Sequence, residues 1–260
     1  MSAKPIKTLA VTVAALAALA AVGRAEVIQH GSLRISFEGK LNPKRLPRHG
    51  AAPVAVSVGG HVTTTDGSTP PQLRKIEIGI NRHGRFDYSG LPACRLEEIQ
   101  PSTTTNAMRA CGPSKVGVGS FAANVAIPGQ TPFPSAGKMI AFNGVEGGKP
   151  VIFAHVYGTR PVPTSFTLTL RMQQTRGTFG TTLVAYLPHV TGHAGFITGL
   201  SLNLHRTYRY RGSWHSYLSA GCPAPKGFSG SPFPLARASF TFAGGRTLGS
   251  TLVRSCKVRG

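Results

Sequence analysis

After Glu146 this 260-residue chain contains no aspartate or glutamate. Its eight acids are Glu26, Glu38, Asp66, Glu77, Asp87, Glu97, Glu98 and Glu146. Most glycosidases need two carboxyl groups flanking the scissile bond, so such a pair would have to come from the N-terminal part alone. Glu97 and Glu98 are adjacent, and in a strand adjacent side chains point to opposite faces. On a helix they would diverge by about 100°. The Gly-x-Ser-x-Gly nucleophile elbow is missing, as are the His-Glu-x-x-His metal helix and any Cys-x-x-Cys spacing. Tryptophan occurs once, at Trp214. No stretch of 18 consecutive apolar residues reads as a membrane-spanning helix. Together these gaps leave no recognisable catalytic signature and no cofactor expected.

What is present begins with a leader. Lys4 and Lys7 precede an apolar run from Leu9 to Val22, and Gly23-Arg24-Ala25 sets small residues at the −3 and −1 positions. This is the three-part pattern of a secretory signal peptide, with cleavage expected after Ala25. The run is 14 residues long, short of the about 20 that span a bilayer. Arg254 to Gly260 is basic and has no apolar tail. The expected location is secreted, extracellular or envelope-associated.

Of the 29 Lys and Arg, three lie in the leader, which leaves 26 against eight acids and a formal charge of +18 for residues 26–260. From Gly147 onward there are 13 Lys and Arg and no acid. A field of that sign attracts polyanions. The expected partners are anionic polymers: wall polymer, polysaccharide or nucleic acid.

The four cysteines are Cys94, Cys111, Cys222 and Cys256. An even count in an exported chain predicts two disulfides. Three pairings are open, and the two local ones, Cys94–Cys111 and Cys222–Cys256, are favoured.

Glycine (32) and proline (20) punctuate short runs that read as strands. Ile76, Ile78 and Ile80 lie two apart, as do Phe166, Leu168 and Leu170. Period two means one buried face and one wet face, the habit of antiparallel sheets. One short helix is expected over Asn106 to Ala110, with N-cap candidates in Ser102 to Thr105 and a stop at Cys111-Gly112-Pro113. The fold class is all-β: an antiparallel β-sandwich, jelly-roll-like in one version, with one short helix and Gly/Pro-rich loops. Residues 26–260 form a single β-rich domain; a sub-division near 115 is the alternative.

From Leu91-Pro92-Ala93-Cys94 onward several pieces are similar to a group of exported bacterial proteins with no assigned activity. They are Pro132 to Lys138, Ala154 to Thr159, Gly177 to Thr181 and Tyr217 to Pro225. The resemblance implies export and carries no site residues.

The strongest binding candidate is the basic and aromatic stretch His205 to Tyr217, with Arg206, Tyr208, Arg209, Tyr210, Arg211 and Trp214 as tentative ligand-binding residues. Arginine forks suit phosphate, sulfate or carboxylate oxygens, and aromatic faces suit sugars or bases. If the stretch is extended, Arg206, Tyr208 and Tyr210 share one face, and His205, Thr207, Arg209 and Arg211 the other. The competing reading is an edge strand with tyrosines in the core and arginines discouraging aggregation. Lys40 to His49 forms a second positive patch, read as a solvated loop. His189 and His193 are weak metal candidates that lack an evident third ligand among His155, His205 and His215.

The leading functional expectation is a non-enzymatic exported protein held electrostatically to anionic envelope polymers or polysaccharide. One alternative is a hydrolase or carbohydrate-active enzyme using His155, His189 and His193. Another is a purely structural extracellular subunit.

Overall fold

Alternation in the sequence becomes alternation of burial. In β2 (Leu33–Asn42) Leu33, Ile35, Phe37 and Leu41 are buried, while Arg34, Glu38, Lys40 and Asn42 are exposed. The structure, a computed structural model, describes residues 25–126, 129–159, 163–187 and 195–259. The leader up to Arg24 lies outside the described residues, and so do His189 and His193.

The chain is mostly antiparallel β. Its first strands are β1 (Glu26–His30), β2, β3 (Arg45–Leu46), β4 (Ala52–Pro53), β5 (Ala55–Thr64), β6 (Leu73–Asn81) and β7 (Gly84–Phe86). Two helices follow, α1 (Leu96–Ile99) and α2 (Thr104–Cys111). Then come β8 (Lys115–Val125), β9 (Phe133–Glu146), β10 (Lys149–Gly158), β11 (Thr164–Gln174), β12 (Phe179–Tyr186) and β13 (Gly195–Leu204). The last are β14 (Thr207–Tyr210), β15 (Ser213–Ser216), β16 (Leu218–Ala220), β17 (Gly230–Phe242) and β18 (Thr247–Val258).

Thirteen of these strands form one sheet, ordered β1-β2-β5-β13-β8-β9-β10-β11-β12-β6-β17-β18-β3. Its pairings are antiparallel except β3 with β18, which is parallel. The sheet curls until its ends meet, because a right-handed twist accumulates over so many strands. At the seam Arg254 Nε donates to the Gly39 carbonyl at 2.8 Å, and Arg254 Nη1 lies 3.8 Å from Glu26 Oε1. Gly39 lets the strands approach: a Cβ would sit 2.9 Å from Leu252 Cδ1 and 3.0 Å from the Ser57 carbonyl, so a larger residue would make its neighbours shift. Side chains rather than a hydrogen-bonded ladder close this seam.

The inner face of the curled sheet carries the main core. Near the seam Phe37 of β2 meets Phe240 of β17 edge to face at 6.1 Å. The expected all-β antiparallel class is therefore what the structure shows, with the facing layers drawn from one continuous sheet. A small sheet ordered β4-β16-β7 adds Leu218 and Ala220 to this core.

A second, smaller core lies on the outer face of β9 and β10. There Ile140, Phe142, Val151 and Phe153 are covered by Ile99 of α1 and Ala107 of α2. The Thr103 hydroxyl caps α2 by accepting from the Asn106 N–H at 3.2 Å. Cys94–Cys111 clips this excursion to the sheet. Cys222–Cys256 joins the loop before β17 to the end of β18. Both local pairings expected from the sequence are present, and no cysteine is free. Among the described residues no helix is long and apolar enough to cross a membrane.

Candidate functional site

The basic and aromatic stretch folds as a hairpin. β14 and β15 pair Tyr208 with His215 and Arg209 with Trp214. The two-residue turn has positive φ at both Arg211 (49°) and Gly212 (80°). That geometry matches the twist of the flanking strands. Glycine adopts it freely, whereas Arg211 bears a Cβ penalty.

The two faces of the hairpin differ. Tyr208 is buried and stacks on His215 at 5.5 Å, while Tyr210 meets His215 edge-on at 5.8 Å. The Tyr208 hydroxyl lies 3.1 Å and 3.0 Å from the carbonyls of Asp87 and Ser89. Burial pushes its pKa up to about 12. His215 Nδ1 is 2.9 Å from Asp87 Oδ2. Burial alone would raise the Asp87 carboxyl, but hydrogen bonds from His215 and Ser89 outweigh it and hold the pKa below the usual value. The other face is open. Trp214 is 73% exposed, and the Arg209 guanidinium lies 5.6 Å from its ring centroid. Arg211 lies 5.2 Å from the Tyr210 ring centroid. Of the six tentative binding residues, Arg209, Arg211 and Trp214 thus present themselves to solvent and Tyr208 does not. Arg206 buries its Nε without a hydrogen-bond partner.

The Lys40 to His49 segment is more ordered than a solvated loop. Arg48 donates to the carbonyls of Ala224, Pro225 and Phe228, and Leu46 is fully buried. β3 lies beside the end of β18, with Arg45 opposite Lys257 and Leu46 opposite Val258. The backbone N–H groups of Lys257 and Arg259 donate to the carbonyls of Lys44 and Leu46, each at 2.8 Å. Lys44, Arg45, Lys257 and Arg259 are all exposed. Among the described residues, none of these four is paired with a carboxylate; the acids found in ion pairs serve Lys75, Arg171, His215 and Arg254. This basic edge was missed in the sequence because its halves are about two hundred residues apart.

Among the described residues no histidines converge on a metal; His189 and His193 lie outside them. His155 is fully buried on β10, and neither ring nitrogen has a well-formed hydrogen-bond partner. Burial pushes its pKa down, partly offset by the Ile99 backbone. His205 is exposed in the connection between β13 and β14. Among the described residues, one group of three ligand-type side chains is close enough to hold an ion: Cys94, Glu98 and Cys111. Its two sulfurs are joined to each other, so no thiolate is free to ligate.

No family model, curated protein or solved structure matches the chain.

Proposed function

We propose that this chain is an exported, non-enzymatic binding protein that holds anionic polymers along its basic edge. The observation that carries the reading is Arg45 opposite Lys257 on paired strands, flanked by Lys44 and Arg259. Like charges set directly opposite each other destabilise a sheet. Here backbone hydrogen bonds and the Cys222–Cys256 bridge, one residue from Lys257, hold them together. A polyanion would supply the missing counter-charge and release its own counterions on binding. The exposed Arg209, Arg211 and Trp214 face supports the same reading as a secondary contact. The leader and the disulfide pair support export.

The test is heparin chromatography of residues 26–260. Retention at low salt should fall steeply as salt rises. The triple substitution Arg45→Gln, Lys257→Gln, Arg259→Gln should elute far earlier. Each cation lost should reduce the slope of log affinity against log salt by about one. Arg209→Gln with Arg211→Gln should shift elution less. Free passage of the unaltered protein at low salt would overturn the proposal.

A further inference from the structure

The interior of the curled sheet is not completely filled. Val58, Ile78, Ile80, Ile197 and Leu200 belong to the inner wall by register, yet each keeps appreciable accessible surface. Their accessible surface faces a cavity of ≈ 120 Å³, which they line with Phe37, Met139, Leu183 and other apolar side chains. Packed interiors leave few voids larger than a water molecule, so a space of this size is unusual. A buried cavity of about 150 Å³ with a similar Leu, Ile and Phe lining stays dry and accepts benzene.

The lining has one ionisable side chain among the described residues, His83. His83 is half-buried, and the exposed Arg82 and Arg85 lie on either side of it in sequence. Burial, and then these two guanidinium groups, lower the pKa of the imidazole. Asn81, buried beside them, donates to the Pro234 carbonyl and accepts from the His83 backbone N–H, which holds this turn in place at the chamber wall. An apolar chamber whose one ionisable lining residue, His83, sits between two exposed arginines in sequence matches a molecule with an apolar tail and a negative head.

We propose that this chamber binds a small anionic amphiphile with a single medium-length alkyl chain. The tail lies among Val58, Ile78 and Leu200, and the carboxylate or equivalent head meets His83, Arg82 and Arg85. This site is separate from the basic edge and stands or falls independently of it.

Calorimetric titration of residues 26–260 with hexanoate, heptanoate and octanoate, below micelle-forming concentrations, tests the assignment. Octanoate should bind once per chain. Affinity should rise about fourfold per added methylene until the chamber is full. Octylammonium should not bind, and octanol should bind more weakly than octanoate. Val58→Phe and Ile78→Trp fill the chamber from different strands. Whichever of them folds, judged by an unchanged circular dichroism spectrum, should lose octanoate binding at least tenfold. His83→Gln should weaken octanoate severalfold and leave octanol unchanged. Octanoate binding that survives in a folded filled variant would overturn the proposal, and so would octanol binding as tightly as octanoate. Binding to the basic edge instead would be abolished by Arg45→Gln with Lys257→Gln, which does not touch the chamber.

Discussion

The two disulfides fasten regions of opposite character. Cys94–Cys111 closes a span of 17 residues over a buried apolar cluster of Ile99, Ala107, Ile140, Phe142 and Phe153. Cys222–Cys256 closes 34 residues and ends beside Lys257, in the basic edge where Lys257 lies opposite Arg45. The first bridge reinforces contacts that are favourable without it. The second opposes repulsion between like charges. The same covalent bond is therefore redundant with packing in one place and opposed to electrostatics in the other, which is where its removal should alter more than stability.

Removing the second bridge should give the largest effect. In the chain-entropy picture, Cys222→Ser with Cys256→Ser costs about 4 kcal/mol. Urea unfolding should show that loss, and heparin elution should move to lower salt as the edge loosens. Cys94→Ser with Cys111→Ser should cost about 3 kcal/mol and leave heparin elution unchanged. If the two pairs of substitutions alter elution equally, the contrast between the regions fails.

A pH series sharpens the contrast further. His155 adjoins the first region, and its folded-state pKa is lowered by burial. The unfolded chain then takes up a proton that the folded chain refuses. That contribution to stability is present above about pH 6.5, the ordinary value, and is lost as pH falls from there. His155→Leu should make the decline of stability between about pH 6.5 and 5 shallower, as read from urea midpoints. The smallest effect is expected at Asp87, whose carboxyl is held below its ordinary pKa. Its contribution is present above about pH 3.9 and disappears as pH falls through the lower folded-state value. Asp87→Asn should therefore destabilise at pH 7 by under about 1 kcal/mol, because the pair is part-exposed. The variant and the unaltered protein should converge in strong acid.

Strand periodicity and the local cysteine pairs were readable because both depend on neighbours in sequence. Ile76, Ile78 and Ile80 declare an inner face without reference to any partner strand. The short helix was readable too, since Thr103 caps it through a residue three positions on. The basic edge was not, because Arg45 and Lys257 meet only through the parallel pairing of β3 with β18. The chamber was hidden for a different reason. Val58 and Leu200 have the composition of any packed wall, and whether facing walls leave space depends on the curvature of the whole sheet. In the hairpin, alternation correctly grouped Tyr208 with Tyr210, but His215 joins that face only because the turn at Arg211 and Gly212 sets the register.

The seam has a consequence for the order of events when the chain is made. Synthesis runs from β1 toward β18, and domains generally mature in that direction. Yet β18 pairs with β17 on one side, carries β3 on the other through its end, and touches β1 and β2 across the seam. Nothing upstream can substitute for it. The nascent chain therefore holds an open, partly apolar sheet until β18 arrives. Closure of the curl, assembly of the basic edge and oxidation of Cys222 with Cys256 then become a single late step.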